Sequence, residues 1–508
     1  MSKQMELLRQ NMDPACRRIQ VTALIISVLT SGLLLVNPAL SQRLIDEVIV
    51  PQNAEPLLGI LGIMLAVKLG REGLRYLMVM LLETSSQNMV FNLRRSLFEK
   101  LQYSDIRFYD LHRTGDLMTR MSGDLDWCRH FVSYIDYRIT DSVCTFVFAV
   151  AYLLTVNWKL TMLLIVITPA LLLITKFFSK TVRPRFVFMR DKLSEMNAAA
   201  QENIAGNRVV KAFAREEYEE ARFEEKDRAY MDSNLEINRT WLTFFPIIEL
   251  LVNAIQIVTV FVGGLFIING EMSPGQLAVF TGLSWTVSNP MRELGNLIND
   301  LQRFSTSAAK VMELYYRTAE ITDSQDAIPH ARVEGGIEFR HVSFRIDSHQ
   351  ILQDISFSVK PGQTVAVLGP TGGSGKTTLI NLLSRFYNLS GGRILLRDLE
   401  GKSHDISRAT LHSLRSQMGI MMQDSFLFAG TLMDNIRYGR LEAIDREVRE
   451  AARRVRADDF ISRLPMGYKT EIRERKQSEP GRKAAGGLCP DAAFRSGDPG
   501  AGRSNLLH

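Results

Sequence analysis

Cysteine is scarce: Cys16, Cys128, Cys144 and Cys489 are the whole complement of a 508-residue chain. They show neither paired metal-ligand spacing nor a secreted framework, which excludes a thiolate zinc module and a disulfide scaffold and leaves four reduced bystanders. Also missing is a small-residue cleavage site behind the first apolar stretch, which follows Arg17-Arg18 and reads as a retained span rather than a signal peptide. Cations are nearly absent from the short connections at 41–56, 157–158 and 269–274. Helix breakers are few between 83 and 131 and between 181 and 240, so these long connections are expected to be helical extensions, not linkers.

The average of 46% hydrophobic residues hides two unlike halves, about the first 300 residues being far more apolar than the rest. Stretches long enough to span a bilayer run through 19–40, 57–82, 134–156, 159–178, 242–268 and 275–298, six in all. Lys3, Arg9, Arg17 and Arg18 precede the first. Arg94, Arg95, Lys100, Arg107, Arg113 and Arg120 fill the second connection, and Arg183, Arg185, Arg190, Lys192, Arg208, Lys211 and Arg215 the fourth. This asymmetry predicts that both ends and both long connections face the cytoplasm, with residues 1–18 as a cytoplasmic segment. It also accounts for the net charge of +6, so no nucleic-acid partner is expected.

Lys68, Arg71, Glu72 and Arg75 fall inside the second span and Glu249 inside the fifth. Charges there are costly unless they face a wet cavity or one another. Two readings stand: a Lys68–Glu72 pair on one helix face, or a hydrated cavity favouring an amphipathic or anionic cargo. Pro169, Pro246 and Pro290 lie in spans, where they can supply kinks.

Turns are expected within the long connections at 108–115, where Arg113-Thr114-Gly115-Asp116 breaks the helical pattern, and at 205–213, introduced by Gly206. Each is either a solvated tip or a contact for a soluble domain. A helix over 301–316 and a polar join containing Pro329 lead to strands at 337–344 and 351–359 and then to Pro361-Gly362. The apolar run Val365-Ala366-Val367-Leu368 reads as a further strand, opening an α/β nucleotide domain.

After that run comes Gly369-Pro370-Thr371-Gly372-Gly373-Ser374-Gly375-Lys376-Thr377-Thr378, followed by the helix-like Leu379-Ile380-Asn381-Leu382-Leu383. Strand, glycine-rich turn and helix start make a nucleotide-phosphate cradle. Glycines let consecutive N–H groups turn inward on a phosphate, the lysine meets the outer phosphate charge, and the hydroxyl of Thr377 can hold Mg²⁺. The usual spacing places glycine at 370, where this chain has Pro370, and the extra glycine at 372/373 lengthens the loop.

Six spans with cytoplasmic extensions followed by this loop resemble a half-transporter of the ATP-binding cassette (ABC) exporter type, of the multidrug or lipid kind. Further strings carry the resemblance: Thr114-Gly115-Asp116-Leu117 with Asp124; Asn157-Trp158-Lys159-Leu160-Thr161; Gly206-Asn207-Arg208-Val209-Val210-Lys211-Ala212-Phe213; Met422-Gln423-Asp424-Ser425-Phe426-Leu427-Phe428; Gly430-Thr431-Leu432-Met433-Asp434-Asn435-Ile436; and Thr470-Glu471-Ile472-Arg473-Glu474-Arg475. The resemblance implies an all-α six-helix membrane domain over 19–316, a linker over 317–335 and a P-loop α/β nucleotide-binding domain over 336–475. It implies ATP and Mg²⁺ as cofactors, with Lys376 and Thr377 on phosphate and metal and Gln423 at the metal or the attacking water. It implies that Phe108, Tyr109 and Gly115 in one turn, and Arg208, Val209, Val210 and Lys211 in the other, couple the domains. Ile346 stands where the family places an adenine-stacking aromatic, a loss of about 1 kcal/mol; as a bare residue it is an ordinary strand isoleucine. The implied partners are a second half-transporter, identical or different, membrane lipid and a hydrophobic or amphipathic cargo.

Past Arg475 the resemblance calls for a signature near Leu-Ser-Gly-Gly-Gln, an apolar strand ending in Asp-Glu, and a histidine switch. Residues 476–508 spell none of these; they read as an unstructured tail that leaves the nucleotide domain incomplete. Residues 397–403 likewise read as added sequence. Yet if each codon from Lys476 is read one nucleotide later, synonymous choices permit NNLSRGE at the start of the tail and ILVLDEATSS over residues 498–508. Two functional strings in one shifted frame predict a single frameshift near Arg475. The chain as written is then an ATPase-deficient half-transporter; the alternative is a non-catalytic nucleotide-binding subunit regulating a partner transporter. The nucleotide sequence around codon 475 separates the origins of the shift: an intact downstream frame on resequencing means a reading error, a confirmed lesion a decayed gene.

Overall fold

A computed structural model describes residues 2–329, 333–370, 375–421 and 426–472. The chain divides into two units, the first formed by Met1–Gln102 and Gly115–Arg317, the second by Tyr103–Thr114 with Thr318 onward.

Along the chain the first unit contains α1 (Ser2–Gln10), α2 (Pro14–Leu33), α3 (Val36–Arg43), which runs on as a π turn to Ile49, and α4 (Leu57–Gln102). After α5 (Ile106–Leu111), which belongs to the second unit, follow α6 (Thr114–Thr119), α7 (Leu125–His130), α8 (Asp136–Val156), α9 (Trp158–Phe213), α10 (Glu216–Ile268) and α11 (Pro274–Tyr315). Five of the six apolar stretches lie in unbroken helix, and the first, 19–40, is broken by a turn at 34–35 between α2 and α3. Among the described residues, Pro14–Ile49 and Thr114–Val156 are long and apolar enough to cross a membrane by length and composition alone. At about 1.5 Å per residue, the 56 and 53 residues of α9 and α10 far exceed a hydrocarbon core of about 30 Å. Both long connections are helical, as breaker-poor sequence predicts.

On α2 the packing is inverted relative to a helix of a water-soluble bundle. The face of α2 that is buried carries Cys16, Gln20, Ala23, Ile26, Ser27, Thr30 and Ser31, whereas Val21, Ile25 and Leu29 are each 56% exposed. Small and polar residues let helices approach and hydrogen-bond in a solvent as apolar as leucine. Accordingly Ser31 Oγ donates to Asp141 Oδ1 at 2.8 Å, Gln20 Nε2 to Asp136 Oδ2 at 3.1 Å, and Ser85 Oγ to the Cys16 carbonyl at 3.2 Å. The Asn157-Trp158-Lys159-Leu160-Thr161 string is a helix start: Asn157 Oδ1 accepts from the Leu160 N–H, and Lys159 pairs with Glu271 at 2.7 Å. Asp116 and Asp124 also have local work, Asp116 pairing with Arg120, which reaches Glu313, and Asp124 lying 3.8 Å from Lys310.

Two expectations about this unit change. The second turn is not at 205–213: α9 continues through Gly206 to Phe213, and the reversal is made by Ala214, left-handed at φ +47, and Arg215. A single helical glycine costs only about 1 kcal/mol, too little to break so long a helix. Glu72 faces Arg71 at 3.7 Å rather than Lys68. Pro169, Pro246 and Pro290 all lie within helix. Cys16, Cys128 and Cys144 are free thiols; Cys489 lies outside the described residues.

In the second unit β1 (Val333–Ile346), β2 (His349–Val359), β3 (Gly391–Asp398) and β4 (Ser403–Asp405) form an antiparallel sheet in the order β2-β1-β3-β4. Phe339 pairs with Phe357 in register, their rings stacked at 4.5 Å. The inner face packs Val342, Phe344, Ile394 and Leu396 against Leu382 and Leu383 of α12 (Lys376–Leu383) and Leu414 of α13 (Leu411–Arg415). Residues 397–403 close the β3–β4 hairpin, where Asp398 accepts from the N–H groups of Glu400 and Lys402 and bonds His404 Nε2 at 2.7 Å. A smaller cluster joins β5 (Gly430–Thr431), α14 (Leu432–Arg437), α15 (Asp445–Arg454), α16 (Asp458–Ser462) and β6 (Glu471–Ile472). Its core is Leu432, Ile436, Val448, Ala452 and Ile461.

The expected strand at 365–368 is not one. Residues 363–370 join no sheet among the described residues, and Leu368 is 91% exposed. An apolar strand forms only against neighbours, and the described residues supply none for it. The tail at 476–508 lies outside the described residues.

Ala214 pays the cost of a Cβ in left-handed backbone, about 1–2 kcal/mol. Ala214→Gly is expected to stabilise the α9–α10 reversal by about 1 kcal/mol, read as slower amide exchange over 210–215; faster exchange would contradict the assignment.

Candidate functional site

The phosphate loop enters α12 through Gly375, whose φ of +74 suits glycine and whose missing Cβ would lie 2.6 Å from Leu352 Cδ2. That close packing of helix start on sheet leaves α12 without a side-chain cap, so its first turn presents backbone N–H groups as anion donors do. Lys376 Nζ donates to the carbonyls of Gly369 at 2.9 Å and Pro370 at 2.6 Å, and Thr377 is exposed beside it with Thr378 half-buried. An uncapped helix start, an ammonium folded over the loop and a hydroxyl at the next position fit a triphosphate with Mg²⁺. Gly372, Gly373, Ser374 and Gln423 lie outside the described residues. Ile346 ends β1 opposite His349, just before the left-handed Asp347.

α12 is held from behind by two arginines, of which Arg385 is buried. Arg385, left-handed at φ +49, donates from Nη1 to the Ala409 carbonyl at 2.7 Å and from Nη2 to the Thr322 carbonyl at 3.3 Å. Arg415 donates to the carbonyls of Ser384 and Arg385 at 3.1 and 2.8 Å. Burial presses both guanidinium groups below their usual range; the charges of Asp323 and Asp405 oppose this at Arg385.

Thr322 belongs to the linker, a bonded strap rather than a loose join. Asp323 accepts from the Leu411 N–H at 2.7 Å, and Ile328 bridges Ala409. The start of the strap is taken by Asp105, immediately before α5. Its carboxylate, 6% exposed, accepts from the N–H groups of Glu320 at 2.8 Å and Ile321 at 3.0 Å instead of capping its own helix. Within α5, Phe108 is buried and stacked on His112 at 4.3 Å, while Tyr109 meets it edge-on and is exposed. Arg107 pairs with Asp347 at 2.7 Å, and Asp110 accepts from the Tyr387 hydroxyl at 2.7 Å. Burial, then the Asp110 charge, pushes the Tyr387 phenol up to about 12, so it stays a donor through neutral pH. The Gly430–Ile436 string belongs to the smaller cluster. Thr431 and Asp434 form a capping box, and buried Asn435 bonds both the N–H and the carbonyl of Phe428, pinning the residues that follow 422–425.

Against known families, residues 21–291 match the ABC transporter transmembrane region and residues 352–487 the ABC transporter domain. The chain belongs to the ABC transporter family. It is 34% identical over 440 residues to the ABC transporter ATP-binding protein YfiC of Bacillus subtilis (strain 168), covering 86% of this chain and 72% of that protein. It is 31% identical to the ATP-dependent lipid A-core flippase of Syntrophus aciditrophicus (strain SB), over 92% of this chain and 75% of the flippase. A solved bacterial Atm1-family ABC exporter with ATP bound matches at a TM-score of 0.74 and 26% identity, over 95% of this chain and 85% of that one. The architecture is thus that of an ABC exporter, a helical transmembrane domain followed by an ABC nucleotide-binding domain, and the protein is a membrane protein.

In this ABC exporter α5 and Gly115, which lies in α6, occupy the first expected coupling turn. Arg208, Val209, Val210 and Lys211 sit in the last turns of α9. There Val209, Val210, Phe213 and Tyr218 line an open concavity of about 500 Å³ at the hairpin tip. Of the cargo candidates, Lys68 and Arg71 line one cavity, whereas Glu72, Arg75 and Glu249 do not. Asp105, Arg385 and Tyr387 were invisible to sequence reasoning, and Asn435 was visible only as a member of the Gly430–Ile436 string. Asp105 looks like an ordinary helix cap, and its partners stand 215 and 216 positions away.

Asp105→Ala removes two charge-assisted bonds of about 1.5–3 kcal/mol each. Amide exchange at Glu320 and Ile321 is expected to accelerate at least about tenfold, with partial protection restored by Asp105→Asn. Unchanged exchange would show that the strap does not depend on this carboxylate.

Proposed function

We propose that this chain is one half of a dimeric exporter that moves an amphipathic small molecule, lipid or peptide across the cytoplasmic membrane, both of its termini on the cytoplasmic side. The observation that carries this reading is the uncapped start of α12 with Lys376 and Thr377, in one chain with helices whose apolar faces point outward. ATP bound with Mg²⁺ supplies the free energy when two cassettes close on it. Lys376 and the N–H groups of the α12 first turn bind phosphate; Thr377, with Gln423, ligates the metal. Arg385 and Arg415 hold the back of α12, and α5 with the 318–323 strap passes a change in the cassette to α4 and α11, to which they are joined in sequence. The tip at 208–215 is the second coupling element.

Hydrolysis also needs a carboxylate to polarise water and a signature from the opposite cassette. Residues 476–508 spell neither an apolar strand ending in Asp-Glu nor a signature string, so we infer that this polypeptide binds nucleotide without turning it over. The exposed run at 365–368 supports the inference, since its neighbouring strands would come from beyond the described residues. A non-catalytic subunit regulating a partner is the second reading, favoured by the well-packed clusters around Phe339 and around Ile436. A regulator is expected to keep its soluble half resistant to limited proteolysis, and a broken enzyme to lose it.

The purified 508-residue chain is expected to bind a fluorescent ATP analogue, to lose at least about tenfold in affinity on Lys376→Ala, and to show no Mg-ATP turnover above background. Appreciable turnover would overturn the hydrolysis inference, and unaltered binding in the variant the phosphate assignment.

A further inference from the structure

A cavity of about 210 Å³ opens between the end of α2, the start of α3, α4 and α11, with Leu33, Asn37, Lys68, Arg71, Leu283 and Thr286 among its lining. Arg71 is fixed there: its Nε donates to the Thr30 carbonyl at 3.1 Å, which orients the rest of the guanidinium. Glu72 stands 3.7 Å from Nη1, beyond hydrogen-bond distance. Lys68, Arg71 and Arg75 follow one another at steps of three and four and share one face of α4. Among the described residues Lys68 and Arg75 make neither an ion pair nor a hydrogen bond. Three cations against one carboxylate leave this part of a membrane helix with excess positive charge, costly to keep there unless an anion offsets it.

The rest of the lining limits what that anion is. Asn37 Oδ1 is buried without a partner, so a ligand hydroxyl, or after an amide flip a ligand oxygen, has a place to bond. Leu33 and Leu283 make the opposite wall apolar. Leu58, Leu61, Leu65 and Leu69, at helical spacing along α4, are exposed on the flank of Lys68. The cavity has room for a headgroup and not for acyl chains, and the chains have an apolar stripe beside it.

We propose that this cavity is a headgroup subsite for an anionic amphiphile: a phosphate or carboxylate held by Arg71 and Lys68, a hydroxyl on Asn37, and the chain along Leu65 and Leu69. The proposal rests on the export reading only for what becomes of the bound molecule. Its test is equilibrium binding to the full chain in detergent micelles, with lysophosphatidylglycerol, lysophosphatidylcholine and inorganic phosphate as probes. The anionic lysolipid is expected to bind at least about tenfold more tightly than either of the others, the preference disappearing in Lys68→Gln/Arg71→Gln. Glu72→Gln, which removes the competing carboxylate, is expected to tighten it several-fold, a gain that misfolding does not produce. Equal affinity for the two lysolipids, equal affinity for free phosphate, or no response to Glu72→Gln would each overturn the proposal. Binding as described without transport by a frame-restored chain would leave the subsite standing and sink the export reading instead.

Discussion

Backbone N–H and C=O groups must find partners or remain in water, and this constraint governs the segment that feeds the phosphate loop. Residues 363–370 join no sheet among the described residues, and Val365, Val367 and Leu368 are exposed. A phosphate loop is as well positioned as the strand behind it, because its glycines contribute no side chains to fix it. The described structure meets the requirement from one side only: Gly375 packs on Leu352, and Arg415 grips the carbonyls that follow α12. The helix that would present N–H groups to a phosphate is therefore anchored at its start by Leu352 and just past its end by Arg415.

Around that constraint the second unit is tied by charge-assisted bonds to backbone atoms. Arg385 and Arg415 donate to carbonyls; Asp105, Asp323 and Asp398 accept from N–H groups. Such bonds are stronger than neutral ones and, unlike ion pairs between exposed side chains, are lightly screened when buried. They occur where strand pairing is not available: at the linker, at the β3–β4 turn and behind α12. The linker thus has defined geometry without belonging to a sheet or a helix. A displacement of α12 reaches Thr322 through one side chain, that of Arg385, and reaches Glu320 and Asp105 two residues earlier along the same strap.

What was legible in the sequence follows the range of the interaction. Helical extensions, β1 and β2 are local patterns and are present, whereas the strand expected before the phosphate loop is not, and residues 371–374 of that loop lie outside the described residues. The missed turn at Ala214 shows the limit of local reasoning: Gly206 has the permissive residue, but the reversal falls where Lys211 and Glu216 pair across it and three glutamates open α10. The Lys68–Glu72 pairing failed for a related reason. Spacing allowed it, but Glu72 leans instead toward Arg71, whose guanidinium is tethered to Thr30 on another helix. Asp105 and Arg385 were unreadable because each serves backbone groups far away in sequence, which no motif records.

In the first unit the solvent decides the sign of every such judgement. Ser27, Thr30 and Ser31 at the helix contacts, with leucine, isoleucine and valine outside, would be a poor soluble bundle and make a sound membrane one. The same inversion changes what an unpaired cation means. On a soluble helix Lys68 and Arg75 would be solvated side chains of no consequence; within the span of α4 they carry a desolvation cost that the rest of the helix, with Glu72 alone to offset three positive groups, does not remove. Snorkelling relieves such a cost near a helix end, but Arg71 is tied to the Thr30 carbonyl and lines a cavity with Asn37, whose Oδ1 is buried. A charge tied in place beside a cavity has one route left to neutralisation, an anion that enters the cavity, and the leucines flanking it give that anion an apolar tail.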